Sequence, residues 1–232
     1  MEFEVVLANG SAVRANETIN PDLFWALRGG GSNFGIVTKV SLEVFPQGPS
    51  WYTFQLWNMT DMKTVFQRLD NFTRRMPSEV QMIATNLGWS TWKGEFVLSD
   101  RIVASGTDLP EMSRAHLADH STDQETRPVE EHLYRRTTLE MAEVMDLVNE
   151  YGFFNFFGSI TVRSNPEIHM RVAEIFQQEA SKILDIAGIQ VYIVYNPVTT
   201  LTIEKMQLKG GNALGLKQDD GHLTSELSFH RL

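Results

Sequence analysis

The chain has 232 residues, 42% of them hydrophobic, a net charge of −9 from 20 basic and 29 acidic side chains, and no cysteine. That length accommodates one large or two small domains with a proper core. The acidic balance with no basic stripe argues against nucleic acid or an anionic membrane as partner, and no apolar run reaches bilayer length. Without cysteine there can be no disulfide, thiolate nucleophile or cysteine-ligated metal, and the redox compartment stays open.

Phe3–Leu7 and Ala12–Ala15 flank Asn9-Gly10, a strong hairpin signal. Next comes the stretch NPDLFWALRGGGSNFGIVTKVSLEVFP, Asn20–Pro46. Asn20 can cap a helix, Pro21 suits its first position, and Leu23, Phe24, Ala26 and Leu27 supply a buried stripe. Gly29 can take the left-handed stop, and Gly30, Gly31 and Gly35 allow something to approach the main chain closely. From Lys39 the pattern alternates as a strand, with Val40, Leu42 and Val44 on one face and Lys39, Ser41 and Glu43 on the other. These glycines do not make a Rossmann fingerprint, because the third would fall on Phe34 and the order is helix, glycines, strand. Gly30 and Gly35 have P-loop spacing, but Ile36 stands where the phosphate-binding lysine belongs. Spacing alone is equally satisfied by a tight helix-to-strand connection with no ligand.

Beyond Pro46 strands alternate with helices. Tyr52–Trp57, Val80–Trp89 and Phe96–Ala104 read as strands, and Met62, Val65, Phe66, Leu69 and Met76 sit at helical spacing before Pro77. Residues 105–127 are polar and aperiodic, a loop or short exposed helix. Thr137-x-x-Glu140 has the form of a capping box opening a helix to Val148. Phe153–Val162 reads as a core strand. Asn165-Pro166 opens a helix running through Ile183 and Leu184 to Gly188; Ile189–Tyr195 is a strand ended by Asn196-Pro197; Leu223–Phe229 is a last strand. This order predicts an antiparallel sheet covered by helices on one face.

Few constellations carry chemistry. His116 and His120 are one helical turn apart, but HLADH lacks the H-E-x-x-H order and reads as solvated surface, so no metal site is expected. No G-x-S-x-G elbow is present, and His132, His169, His222 and His230 are scattered without a partner readable from sequence. Phe153, Phe154, Phe156 and Phe157 read as packing. Tyr192 and Tyr195, three apart on one strand, must face opposite sides of the sheet, one in the core and the other free to line a cavity. N-x-S/T triplets at Asn9, Asn16, Asn58 and Asn71 hint at a secreted parent; no signal peptide is read at the N-terminus, and localisation stays open.

The string LFWALRGGGSNFGIVTKV closely resembles the signature of FAD-linked oxidoreductases of the vanillyl-alcohol-oxidase fold, in the berberine-bridge-enzyme-like branch. A weaker resemblance to fungal members pairs YNP, Tyr195–Pro197, with GGNALGL, Gly210–Leu216. The resemblance implies an α+β chain: residues 1–46 as the C-terminal end of a PCMH-type FAD-binding domain, and 47–232 as a substrate lobe whose antiparallel sheet is covered by helices. It implies FAD as cofactor, held on its adenine side by Gly31, Asn33, Gly35, Ile36 and Val37. A small-molecule substrate would lie between the flavin and the sheet, with Tyr195 the candidate contact. It also implies that the pyrophosphate loop, the flavin-linking histidine and the catalytic base lie outside this sequence, so no catalytic residue is assigned. The other reading is a non-catalytic remnant that binds a small molecule or a partner.

Overall fold

The computed structural model describes residues 1–76, 78–106, 108, 128–148, 155–217 and 222–231. The chain divides into two compact units, residues 1–46 with 200–221, and residues 47–199 with 222–232. The segment 200–221, expected with the substrate lobe, therefore clusters with the N-terminal unit.

The first unit holds β1 (Glu2–Val6), β2 (Ala12–Ala15) and β3 (Ile36–Ser41) in an antiparallel sheet of order β2-β1-β3. The Asn9-Gly10 turn forms as expected: Gly10 takes φ 82°, and Asn9 Oδ1 accepts from the Ser11 amide at 3.0 Å. Helix α1 (Pro21–Leu27) lays Phe24 on Phe3, ring centroids 5.9 Å apart, over a core completed by Val5 and Ala15. Asn20 does not cap α1 with its side chain. It adopts a left-handed φ of 48° and donates Nδ2 to the Arg14 carbonyl at 2.7 Å, tying the helix start to β2 instead. Strand β3 also departs from expectation. It begins at Ile36 and stops at Ser41, so Leu42 and Val44 lie beyond it, and all its residues are exposed, Ile36 at 71%. Among the described residues β3 is an edge strand paired with β1, and its last residue, Ser41, meets Glu2 where β1 begins.

The second unit is a seven-stranded antiparallel sheet of order β7-β4-β6-β5-β9-β10-β8. Its strands are β4 (Ser50–Trp57), β5 (Val80–Ser90), β6 (Glu95–Ala104), β7 (Glu130–Arg136), β8 (Asn155–Arg163), β9 (Gln190–Val198) and β10 (Leu223–Arg231). Helices α2 (Met62–Arg74) and α4 (Pro166–Ala180) pack on one face; α3 (Thr138–Val148) follows β7. Apolar residues of α2 at 3.6-residue spacing (Met62, Val65, Phe66, Leu69, Phe72) meet the odd-numbered positions of β9 (Val191, Ile193, Tyr195) and Leu87, Leu98 and Ile102. Both start signals act as read. Thr137 and Glu140 close a reciprocal capping box, with the Thr137 amide 2.6 Å from Glu140 Oε2 and the Glu140 amide 3.2 Å from Thr137 Oγ1. Asn165 Oδ1 accepts from the Glu167 amide at 2.8 Å.

Four expectations are corrected. Helix α4 ends at Ala180, and turns carry the chain to Gly188, φ 81°. Strand β9 runs through Asn196-Pro197, where Pro197 pairs with Thr224 in the β9–β10 register. Strand β7, EEHLYRR, went unread because its charge conceals it; such charge suits the sheet edge it occupies. Phe156, expected to pack, is 63% exposed on edge strand β8. Phe153, Phe154, His116 and His120 lie outside the described residues.

Candidate functional site

The glycine turn follows from α1. Its last turn closes with the Gly30 amide on the Ala26 carbonyl at 2.9 Å, Gly29 takes φ 109°, and residues Gly31–Phe34 make one 3-10 turn into β3. The glycines serve different ends. A Cβ on Gly29 would stand 2.6 Å from the Leu214 side chain; on Gly30 it would strike the Ala26 carbonyl and the Phe34 ring; on Gly35, φ 139°, it would stand 2.6 Å from the Val6 carbonyl. These three positions are required by packing within the unit. Gly31 is different: at φ 64° it has nothing nearer than the Asn33 amide group at 4.0 Å, so its main chain is open to approach. Asn33 donates Nδ2 to the Gly30 carbonyl at 2.7 Å and holds the turn in shape.

The segment Gly210–Leu216 seats against this turn. The Ala213 amide donates to the Arg28 carbonyl at 3.0 Å, Leu214 fills the space beside Gly29, and Gln207 Nε2 bonds the Leu216 carbonyl at 2.7 Å. Two stretches far apart in sequence thus form one structure around Arg28 and Gly29. Of the expected cofactor residues, Gly31, Asn33, Ile36 and Val37 are exposed, while Gly35 is half-buried against Val5 and Val6.

Gly35→Ala is expected to destabilise the first unit by about 2 kcal/mol through backbone strain and the contact with Val6. Gly31→Ala should cost only the left-handed penalty of about 1 kcal/mol. Amide exchange of β1 and β3 measures both; equal protection losses would contradict the division of roles.

In the second unit Tyr195 is a core residue. It is fully buried beneath α2 and α4, edge-on to Phe66 at 4.7 Å and to His169 at 5.6 Å, with its hydroxyl 3.4 Å from the His169 carbonyl. Alternation put it on the helix side, so the substrate contact expected of it is replaced by packing, and Tyr192 takes the opposite face, 36% exposed. Nearby, Ser164 donates to Asp70 at 2.8 Å and lies 3.4 Å from His169 Nε2, while Arg74 bonds Asp70 at 2.8 Å. Here the serine bonds the acid directly, and the group ties α2 to the start of α4.

The face turned away from α2 and α4 is built from alternate strand positions. His132, Phe54 and Arg101 form one cross-strand row, and Tyr134, Tyr52 and Val103 the next. His132, unpartnered in sequence, has Nε2 2.5 Å from Glu130 Oε1. Its ring lies nearly parallel to Phe54 and Tyr134, centroids 6.2 and 5.8 Å away. Burial raises the Tyr52 hydroxyl above its ordinary pKa, and burial lowers the Arg101 guanidinium, partly offset by Tyr192. Sequence reading missed this face. Trp51 and Trp57 on the other side of β4 hide the alternation of Tyr52 and Phe54, and His132 needed β7 to be recognised.

A hollow of about 670 Å³ lies on the helical side, between α2 and the start of α4, bordered by Lys63, Gln67, Asn165 and Met170, and no sheet residue lines it. Among the described residues no three metal-capable side chains converge, and no helix is long and apolar enough to cross a membrane.

No family model matches the chain. It is 28% identical over 95% of its length to an FAD-dependent monooxygenase of Cochliobolus heterostrophus, covering 44% of that protein. It is 30% identical over 88% of its length to an FAD-dependent monooxygenase of Phaeosphaeria nodorum, covering 63% of that protein. Among solved structures, the xylooligosaccharide oxidase of Myceliophthora thermophila superposes on all of the chain with TM-score 0.67 at 21% identity, and berberine bridge enzyme does so with TM-score 0.66 at 11% identity. The chain covers 49% and 46% of these two, so it spans about half the length of the proteins it matches. By sequence and by fold, the chain is a relative of the FAD-linked oxidoreductases of the vanillyl-alcohol-oxidase fold, similar to their berberine-bridge-enzyme-like branch.

Proposed function

We propose that this chain carries the adenine side of an FAD site and the substrate lobe of an FAD-dependent oxidoreductase acting on a small molecule. The observation that carries the reading is Gly31, the glycine of the turn whose main chain is left open, followed by the exposed residues Asn33, Ile36 and Val37. These fit a flat polar group lying on backbone, and the resemblance assigns the same residues to that contact. When bound, FAD supplies the acceptor for a hydride from a substrate C–H, with oxygen as the onward acceptor. The chain's own part is positional. Gly31, Asn33, Gly35, Ile36 and Val37 offer main-chain groups, Leu214 and Ala213 hold the turn, and Tyr52 stands between Tyr134 and Val103 on the sheet face turned away from α2 and α4. A second reading, a non-catalytic binding or interaction module, draws on the exposed apolar strand β3.

Titrating FAD with the chain should change flavin fluorescence saturably, with AMP competing and riboflavin, which lacks the adenine, failing to compete. Equal competition by riboflavin, or no saturable change with folded protein, would contradict the adenine-side assignment and favour the module.

A further inference from the structure

We propose that the sheet face turned away from α2 and α4 binds a planar aromatic anion, a phenolate or aryl carboxylate, with Arg101 as the anchoring cation and Phe54, His132 and Tyr134 as the stacking surface. The inference rests on the reading of that face as the substrate side.

The register carries the argument first. Because β7, β4 and β6 pair in register, His132, Phe54 and Arg101 stand side by side, and Tyr134 and Tyr52 extend the surface by one row. The planes of Phe54 and His132 differ by 25°, and those of His132 and Tyr134 by 13°, so neighbouring rings across β4 and β7 lie nearly parallel. The Glu130 contact fixes the His132 ring, so the surface is already ordered before a ligand arrives.

Charge then selects the ligand. The chain as a whole carries −9, yet this surface is flanked by guanidinium groups, Arg101 5.7 Å over Phe54 and Arg136 5.4 Å over Tyr134. Glu130, an acid on the same face, has its carboxylate engaged by His132. Arg101 is exposed on this face between buried Asp100 and Ile102, so its guanidinium is open to an incoming anion. Its planar fork matches a carboxylate or phenolate oxygen while its own plane stays on an aromatic ring. Two rows from Tyr52, Asn86 adds an amide donor, Nδ2, that is buried without a partner.

The test uses the full chain and four probes: 2-naphthoate, 2-naphthylmethanol as the uncharged ring, cyclohexanecarboxylate as the non-planar anion, and xylobiose. Binding is followed by calorimetry and by amide shifts. The expected result is tightest binding of 2-naphthoate, with shifts in β4, β6 and β7. Arg101→Gln should weaken it about tenfold, and Arg101→Lys, keeping the charge and losing the fork, should fall between. Melting curves confirm that both variants fold. Equal affinity of wild type and Arg101→Gln, preference for xylobiose or naphthylmethanol, or no binding of 2-naphthoate would overturn the proposal. Naphthoate binding in a chain that fails the AMP competition would leave this site standing and remove the oxidoreductase reading.

Discussion

Tyr195→Ala should lower the stability of the second unit by about 3–5 kcal/mol, the usual cost of emptying a large aromatic site in a core, whereas Tyr195→Phe should cost less than about 1 kcal/mol. The ring is fully buried and edge-on to both Phe66 and His169, so truncation leaves a void beneath α2 and α4 that these two packed neighbours cannot fill. The hydroxyl's contact to the His169 carbonyl is long, 3.4 Å, and Tyr195→Phe keeps the ring that fills the site. Denaturant unfolding measures both. A near-neutral Tyr195→Ala that lost ligand binding would return the residue to the substrate role its position in sequence first suggested.

The pH dependence of folding should carry the signature of Asp100. This carboxyl is buried on the helix side of β6, and desolvation raises it from 3.8 to about 6 despite a 2.6 Å bond from Thr85 and the nearby Arg68 and Trp57. Gln55 stands beside it in the β4–β6 register. The folded state therefore keeps a proton that the unfolded chain has already released. Its stabilising effect is complete below about 3.8 and is lost as pH rises through about 6. That displacement corresponds to roughly 3 kcal/mol. Asp100→Asn keeps an acceptor for Thr85 and carries no charge, so its stability relative to wild type should rise by about that amount between pH 4 and pH 7. Parallel stability curves for the two proteins would show that the carboxylate is accommodated without penalty.

Much of the fold was legible because its signals are local and mutually consistent. The capping box at Thr137, the Asn165-Pro166 helix start, the Asn9-Gly10 turn and the alternation of β9 act at short range, and the structure uses each of them. What was misread depends on partners distant in sequence. Asn20 is drawn away from its cap by the Arg14 carbonyl, β3 stops at Ser41 where its partner β1 begins, and β9 passes through Pro197 because β10 pairs with it there. The glycine run shows the same limit at the site. Sequence marks the glycines alike, yet Gly29, Gly30 and Gly35 answer to Leu214, Phe34 and Val6, and only their neighbour Gly31 is left open. The aromatic and cationic face escaped notice because its residues come from β4, β6 and β7, and β7 reads as a polar stretch until the sheet assembles.

The central claim, that the turn after α1 holds the adenine side of FAD, is tested most directly by amide-resolved NMR of the folded chain titrated with FAD. The account predicts saturable shifts at Gly31, Asn33, Gly35, Ile36 and Val37, weakened in Gly31→Ala. No shift in that turn at saturating FAD, or shifts confined to the second unit, would contradict it.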